Sequence, residues 1–191
     1  LGRRMAGFPL DPPLARMVVE ASARGCAREL AAIAGMLSSE SVWFARGDRR
    51  GKDGEGGGGG GRDEEALAAH ELFHHPKGDH LTYLKLFKAW ELNGASEDFC
   101  QKYFIRFRAL RTAKNIKNQI ENEVRKSGLN LNREDNNDVN AILKSICSGL
   151  VGNAARRSMG GAGVYRNLPF HGAAAAAAAA SLEGVKVVHL H

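Results

Sequence analysis

The sequence has no apolar run approaching the roughly 20 residues that a membrane-spanning helix needs, and no secretory signal stands at its start. Cysteine is scarce. Cys26, Cys100 and Cys147 are odd in number, far apart and outside any CxxC pair. This fits a reduced compartment, nucleus or cytosol. No GxxxxGK[ST] loop is present, so the chain as it stands lacks the phosphate cradle of a P-loop ATPase. No initiator methionine precedes Leu1, and His191 directly follows a β-like run, "GVKVVHLH". Both ends read as cut, and the chain is expected to be a piece of something longer.

What is present is the composition of a globular protein. The chain has 191 residues, 43% of them hydrophobic and 25% charged, enough for one large domain or one and a part. The formal net charge is +6, with an isoelectric point near 9.4. That excess points to an anionic partner, nucleic acid first and a membrane surface second.

Hydrophobic spacing predicts a helical body. Asp11-Pro12-Pro13 suits a helix start, since aspartate caps and proline is tolerated in the first turn. Leu14, Met17, Val18 and Ala21 then repeat at helical spacing up to Gly25, and Cys26, Leu30, Ile33, Ala34 and Leu37 mark a second helix. Residues 41–44, "SVWF", read as a short extended or turn segment. Residues 47–62 hold six consecutive glycines and read as a flexible surface loop. A helix from Asp63 is expected to end near His75, before Pro76 and Gly78. Another spans Leu81–Leu92, with Leu84, Phe87 and Trp90 inward and Asp79 as its cap. Phe99–Phe107 and Arg108–Lys126 read as one or two helices, and 129–137 as polar loop. Val139, Ile142, Leu143, Ile146, Cys147, Leu150, Val151 and Ala154 form the clearest apolar stripe. Beyond it the pattern turns β-like at 164–168 and 185–190, around a low-complexity alanine run.

Within "AHELFHHPKGDH" (69–80) lies His-Glu-x-x-His. On a helix His70 and His74 stand one turn apart and could share a zinc ion, with Glu71 activating its water. A zinc protease also needs a third ligand on a later helix or in an extended HExxHxxGxxH motif. Neither follows, and Pro76 stops the helix almost at the second ligand. No metal site and no catalytic residue are assigned.

The continuation of that cluster is more informative. "FHHPKGDHLTYLKLFKAW" (73–90) resembles the F-x-H-P-x-G-D-H-L-T-L-L-x-x-Y-x-x-W stretch in the C-terminal accessory region of DEAH-box RNA helicases. Residues 1–38 are similar to L-G-x-x-M-A-x-F-P-L-D-P-x-L-A-x-M-L and the segment after it. "KYFIRFRALRTAKNIKNQI" (102–120) and "ILKSICSGLVGNAARR" (142–157) match further motifs in the same order, and "YRNL" and "VKVVHLH" resemble the start of an OB-fold. Departures are Asn115 and Lys117 for the usual Asp and Arg, Gly7 for Glu, and Leu150-Val151 for a Phe pair.

By that resemblance residues 1–10 end a winged-helix domain, and 11–160 form the helicase-associated (ratchet) helical bundle with a disordered Gly-rich loop at 47–62. Residues 161–191 start an OB-fold with a poly-Ala insert at 173–180. The expected fold class is mainly α, a helical bundle followed by the first strands of a truncated OB-fold β-barrel. The resemblance implies a parent that is an ATP-dependent RNA helicase of the pre-mRNA splicing or ribosome biogenesis type, nuclear, with the cytoplasm as the alternative. ATP and Mg would belong to its motor domains, and no cofactor to this chain. Neither DEAH nor an arginine-finger motif occurs here, so the piece is expected to be inactive alone. Implied partners are single-stranded RNA, the helicase's own motor domains, and spliceosomal or ribosome-assembly proteins; no membrane is implied.

The residues themselves carry an RNA signal. Between Lys102 and Lys126 eight basic residues face two acids, Glu121 and Glu123, an excess equal to the net charge of the chain. Ala109, Ala113, Ile116, Ile120 and Val124 share one helical face, and Arg108, Arg111 and Lys114 point away from it. Such a face neutralises phosphates, and arginine also stacks on splayed bases. The residues expected to meet RNA are Arg108, Arg111, Lys114, Lys117, His80, Thr82, Arg156 and Arg157. A helix-start and packing role competes for His80 and Thr82, and a macrodipole role for Arg156 and Arg157. Trp43, Phe87 and Trp90 are read as core. Two rival readings are a helical protein-interaction module without nucleic-acid affinity and a zinc hydrolase.

Overall fold

The computed structural model describes residues 2–44, 59–151, 154–157, 165–167 and 185–187, of which 3, 4, 59–63 and the last three stretches are described by backbone alone. The described chain is mainly helical and falls into two units, Leu1–Ala34 with Ile116–His191, and Gly35–Asn115. The division runs inside α3 (Ala27–Leu37) and α7 (Phe107–Lys126).

The first unit contains α1 (Gly2–Met5), α2 (Pro12–Ala23) and α8 (Val139–Gly149). Asp11 takes the N-cap position of α2, but its side chain makes no capping bond; Pro12 and Pro13 supply the preset first turn. Leu14, Met17, Val18 and Ala21 are buried as their spacing predicts. Gly25, at φ +70°, turns the chain from α2 into α3. The Asp138 carboxylate caps α8, accepting from the N–H groups of Asn140 at 2.9 Å and Ala141 at 3.2 Å. Helix α8 packs its apolar side on α2. The approach is close at Gly149, where an added Cβ would strike the Pro13 carbonyl oxygen and lie 2.5 Å from Met17 Cγ.

The apolar stripe read through Ala154 is shorter than expected. Helix α8 ends at Gly149, and Ala154 starts a strand whose backbone pairs with Val187; Ser148-Gly149 are weak helix formers. Strands β1 (Ala154–Arg157), β2 (Tyr165–Asn167) and β3 (Val185–Val187) pair antiparallel in the order β2-β1-β3.

The polar loop at 129–137 is fastened by a buried carboxylate. Glu29 is 1% exposed. Its Oε1 accepts from the Asn136 N–H at 2.7 Å and its Oε2 from Asn132 Nδ2 at 3.0 Å. Ser22 donates to the Asn130 carbonyl at 2.8 Å, and Asn136 Nδ2 to that of Gly25 at 2.9 Å.

The second unit holds α4 (Gly59–Glu71), α5 (Asp79–Leu92) and α6 (Glu97–Lys102). Helix α4 takes residues 59–62, which were expected as loop; 47–58 and the alanine run 173–180 lie outside the described residues. It stops at Glu71, short of His75, because the N–H groups of Phe73 and His74 bond the carbonyls of His70 and Glu71, three residues back. Phe73 then packs against Phe99 and Tyr103, with ring centroids 6.0 and 5.2 Å away. Gly78, not Asp79, is the N-cap of α5. Its φ of +120° favours glycine, and Asp79 instead places its charge in the first turn, where it suits the macrodipole. Leu84, Phe87 and Trp90 are buried. Trp90 Nε1 donates to the Ser96 carbonyl at 3.1 Å, and Ser96 caps α6. The 41–44 segment is extended, with Trp43 bridging Ile105 and Val42 accepting from the Arg106 N–H at 2.9 Å. No helix among the described residues is long and apolar enough to cross a membrane.

Candidate nucleic-acid interface

Phe104, at φ +56°, separates α6 from α7, so the two run as distinct helices. Along α7, Ala109, Leu110, Ala113, Ile120 and Val124 are buried, while Ile116 is half-buried. The basic residues of this stretch do not form one uniform face. Arg106 pairs with Glu40 at 3.9 Å. Lys114 pairs with Glu91 at 4.0 Å and lies over the Trp90 ring, 5.5 Å from its centroid. Arg108 and Arg111 are exposed, and among the described residues neither has an ion-pair or hydrogen-bond partner.

In the first unit one carboxylate gathers three cations. Glu121 is buried, with Lys117 at 3.1 Å, Arg125 at 3.3 Å and Arg28 at 3.8 Å. The Lys117 side chain is only 12% exposed. This contact uses Lys117 in packing rather than at the surface. The spacing Lys117, Glu121, Arg125 carried that signal, since each step is four residues along a helix. Gly7, where the helicase motif has Glu, sits against the same helix: a Cβ there would lie 2.5 Å from Glu123 Oε1. A second carboxylate at that point would meet like charge.

His80 and Thr82 are buried. Thr82 Oγ1 accepts from the His75 N–H at 3.0 Å and donates to the Gly78 carbonyl at 3.4 Å, tying the turn before α5 to its first turn. Their burial favours the helix-start and packing role. Arg156 and Arg157 lie on β1, opposite Arg166 and Tyr165 of β2; only their backbone is described.

The histidine motif is not assembled as a helical pair. His70 is on α4, Glu71 is its last residue, and His74 lies in the turn beyond. The His70 ring packs on Trp43 at a tilt of 48°, with centroids 4.2 Å apart, and its Nε2 contacts the Phe104 carbonyl at 3.2 Å. A carbonyl accepts only, so Nε2 carries the proton there and is not available to a metal. Burial lowers the His70 pKa. Among the described residues no three His, Cys, Asp or Glu side chains are grouped to hold a metal ion. Burial also pushes the Cys100 thiol up to about 11, and those of Cys26 and Cys147 upward. None is an activated nucleophile.

Known proteins give the arrangement its context. Residues 11–83 match the family model of the helicase associated domain (HA2), ratchet-like. The chain is 28% identical over 160 residues to the pre-mRNA-splicing factor ATP-dependent RNA helicase prp22 of Schizosaccharomyces pombe, covering 82% of this chain and 12% of that protein. It is also 28% identical over 168 residues to the probable ATP-dependent RNA helicase DHX35 of Pongo abelii and of Homo sapiens, covering 88% of this chain and 21% and 22% of those proteins. The chain thus spans a minor part of each relative's length. Motif order, helical fold and relatives agree: residues 11–83 match the ratchet-like helicase associated domain, and most of the chain is similar to a region of ATP-dependent RNA helicases.

Proposed function

We propose that this chain is the RNA-contacting accessory part of a DEAH-box ATP-dependent RNA helicase, holding single-stranded RNA against motor domains that lie elsewhere. In that reading residues 1–10 end a winged-helix domain, and the paired strands β1–β3 begin an OB-fold. ATP and Mg belong to the motor domains. The name of one relative, a pre-mRNA-splicing factor, supports a nuclear, pre-mRNA-splicing setting, with ribosome biogenesis as the other helicase setting. The bundle's contribution is mechanical: a rigid helix restrains the RNA backbone while ATP-driven closure moves the strand.

One observation carries the proposal. Arg108 and Arg111 stand one turn apart on α7, exposed and without a partner among the described residues, while other cations of the same stretch are held by carboxylates. Unpaired guanidinium groups on a rigid helix neutralise phosphates at little ordering cost. The residues proposed to touch RNA are therefore Arg108 and Arg111 first, with Lys114 at their edge and Arg156 and Arg157 as further candidates. The test is a fluorescence titration of labelled single-stranded RNA with the full chain at several salt concentrations. Reversal of both arginines, R108E/R111E, is expected to weaken binding and flatten the salt slope by at least roughly 0.7 for each lost phosphate contact. Unchanged affinity and slope, with helicity intact by circular dichroism, would refute it.

A further inference from the structure

Helix α4 presents a second surface of the opposite character. Positions 64, 67, 68 and 71 follow the i, +3, +4, +7 pattern of a single helical face; Glu64, Leu67, Ala68 and Glu71 are exposed there, and so is Leu72 in the turn just beyond the helix. Leu67 is 62% and Leu72 60% exposed, two of the three large hydrophobic side chains so exposed among the described residues. The inward side is already occupied. Phe73 packs on Phe99 and Tyr103, and His70 on Trp43. Lys85 donates from Nζ to the Leu72 carbonyl at 2.8 Å, fixing the turn that holds Leu72 outward. Single exposed leucines are ordinary, but one on the helix and one in the turn that ends it, bordered by charge, make a surface that excludes water when covered.

We propose that this face docks a cationic amphipathic helix from a protein partner. The charge of the border selects the occupant. Glu64, Glu65 and Glu71 outnumber Lys85, the cation held at the Leu72 carbonyl, on a chain whose net charge is +6, so the local sign is opposite to the global one. Phosphate-rich RNA and anionic lipid are repelled here. A helix with an apolar stripe flanked by Lys or Arg meets both features, its apolar side chains on Leu67 and Leu72 and its cations on the carboxylates. The leucines then supply affinity and the carboxylates orientation and encounter rate.

The probes are two labelled synthetic helical peptides, one with leucines flanked by lysines and one with the lysines replaced by glutamates. Their anisotropy is followed with the full chain. The lysine peptide is expected to bind and the glutamate peptide not. L67S/L72S should weaken binding by roughly tenfold or more, with the fold kept because both side chains are already exposed. E64K/E71K should transfer preference to the glutamate peptide. RNA affinity should be unchanged in both variants, which separates this surface from the arginines of α7. Equal binding of both peptides, or an L67S/L72S variant that binds like the parent, would overturn the proposal. So would a dimer in sedimentation that L67S/L72S dissociates, since a second copy would then cover the face, or a loss of RNA affinity in that variant.

Discussion

Glu29 shows how much one buried charge can organise. Its carboxylate is removed from water but accepts from a backbone N–H and a side-chain amide of the 129–137 loop, so burial is offset by charge-assisted bonds. Glu29→Ala leaves both donors without their acceptor and should cost about 3 kcal/mol, read as a lower urea midpoint. Glu29→Gln keeps one acceptor oxygen and should cost less than Glu29→Ala. Histidine sets a different dependence. Burial lowers the pKa of His70, and burial with Lys77, Lys85 and His74 lowers that of His75, whose Nδ1 accepts from the Lys77 N–H at 3.1 Å and needs to be unprotonated to do so. In the unfolded chain each protonates near the ordinary value of 6.5, before the folded form does. Their contribution is therefore present above that value and lost as pH falls through the lowered folded value. Melting temperature should drop between about pH 7.5 and pH 5.5, and His70→Gln, whose amide can still donate to Phe104, should reduce the drop. An unreduced drop would assign the acid sensitivity to other groups.

At the scale of elements, what could be read from the sequence was what short-range periodicity encodes. The stripe Val139 to Leu150 gave α8, and Leu14, Met17, Val18 and Ala21 gave the buried side of α2. Element ends were less legible, because they depend on bonds that no periodicity announces. Helix α4 stops early through two turn bonds, α5 starts on Gly78 because Thr82 ties down the turn before it, and β1 exists through pairing with residues 8 to 33 positions later. The contact of Glu29 with Asn132 and Asn136 spans more than a hundred residues and has no local signature. Two substitutions test these ends. Thr82→Val removes the acceptor for the His75 N–H and the donor to Gly78, and should cost about 1–2 kcal/mol without altering RNA affinity. Gly149→Ala gains up to about 1 kcal/mol in helix propensity, but its Cβ meets the Pro13 backbone and Met17. Backbone cannot yield as a side chain does, and the overpacking should exceed the gain, for a net loss of about 1–2 kcal/mol. A stabilised variant would mean that α8 shifts on α2 freely.

At the scale of the molecule, charge total and charge availability are different quantities. The excess of basic residues between Lys102 and Lys126 equals the net charge of +6. Composition could not say how it is spent, because the acids that hold these cations lie partly outside the stretch, at Glu40 and Glu91. Lys117 and Arg125 share Glu121 with Arg28; Arg108 and Arg111 share nothing with the described protein. Counterion release counts only cations that reach phosphate, so the salt dependence of RNA binding should sort the residues as the ion pairs do. With the full chain titrated against single-stranded RNA, Arg108→Gln and Arg111→Gln should each lower the slope of log affinity against log salt by about 0.7. Lys117→Gln should leave that slope unchanged. It should instead lower stability by about 1–2 kcal/mol, because the buried Glu121 loses its nearest cation but keeps Arg28 and Arg125. A slope that falls equally for all three substitutions would mean that RNA draws Lys117 away from Glu121, and that the interface extends along α7 beyond the two free arginines.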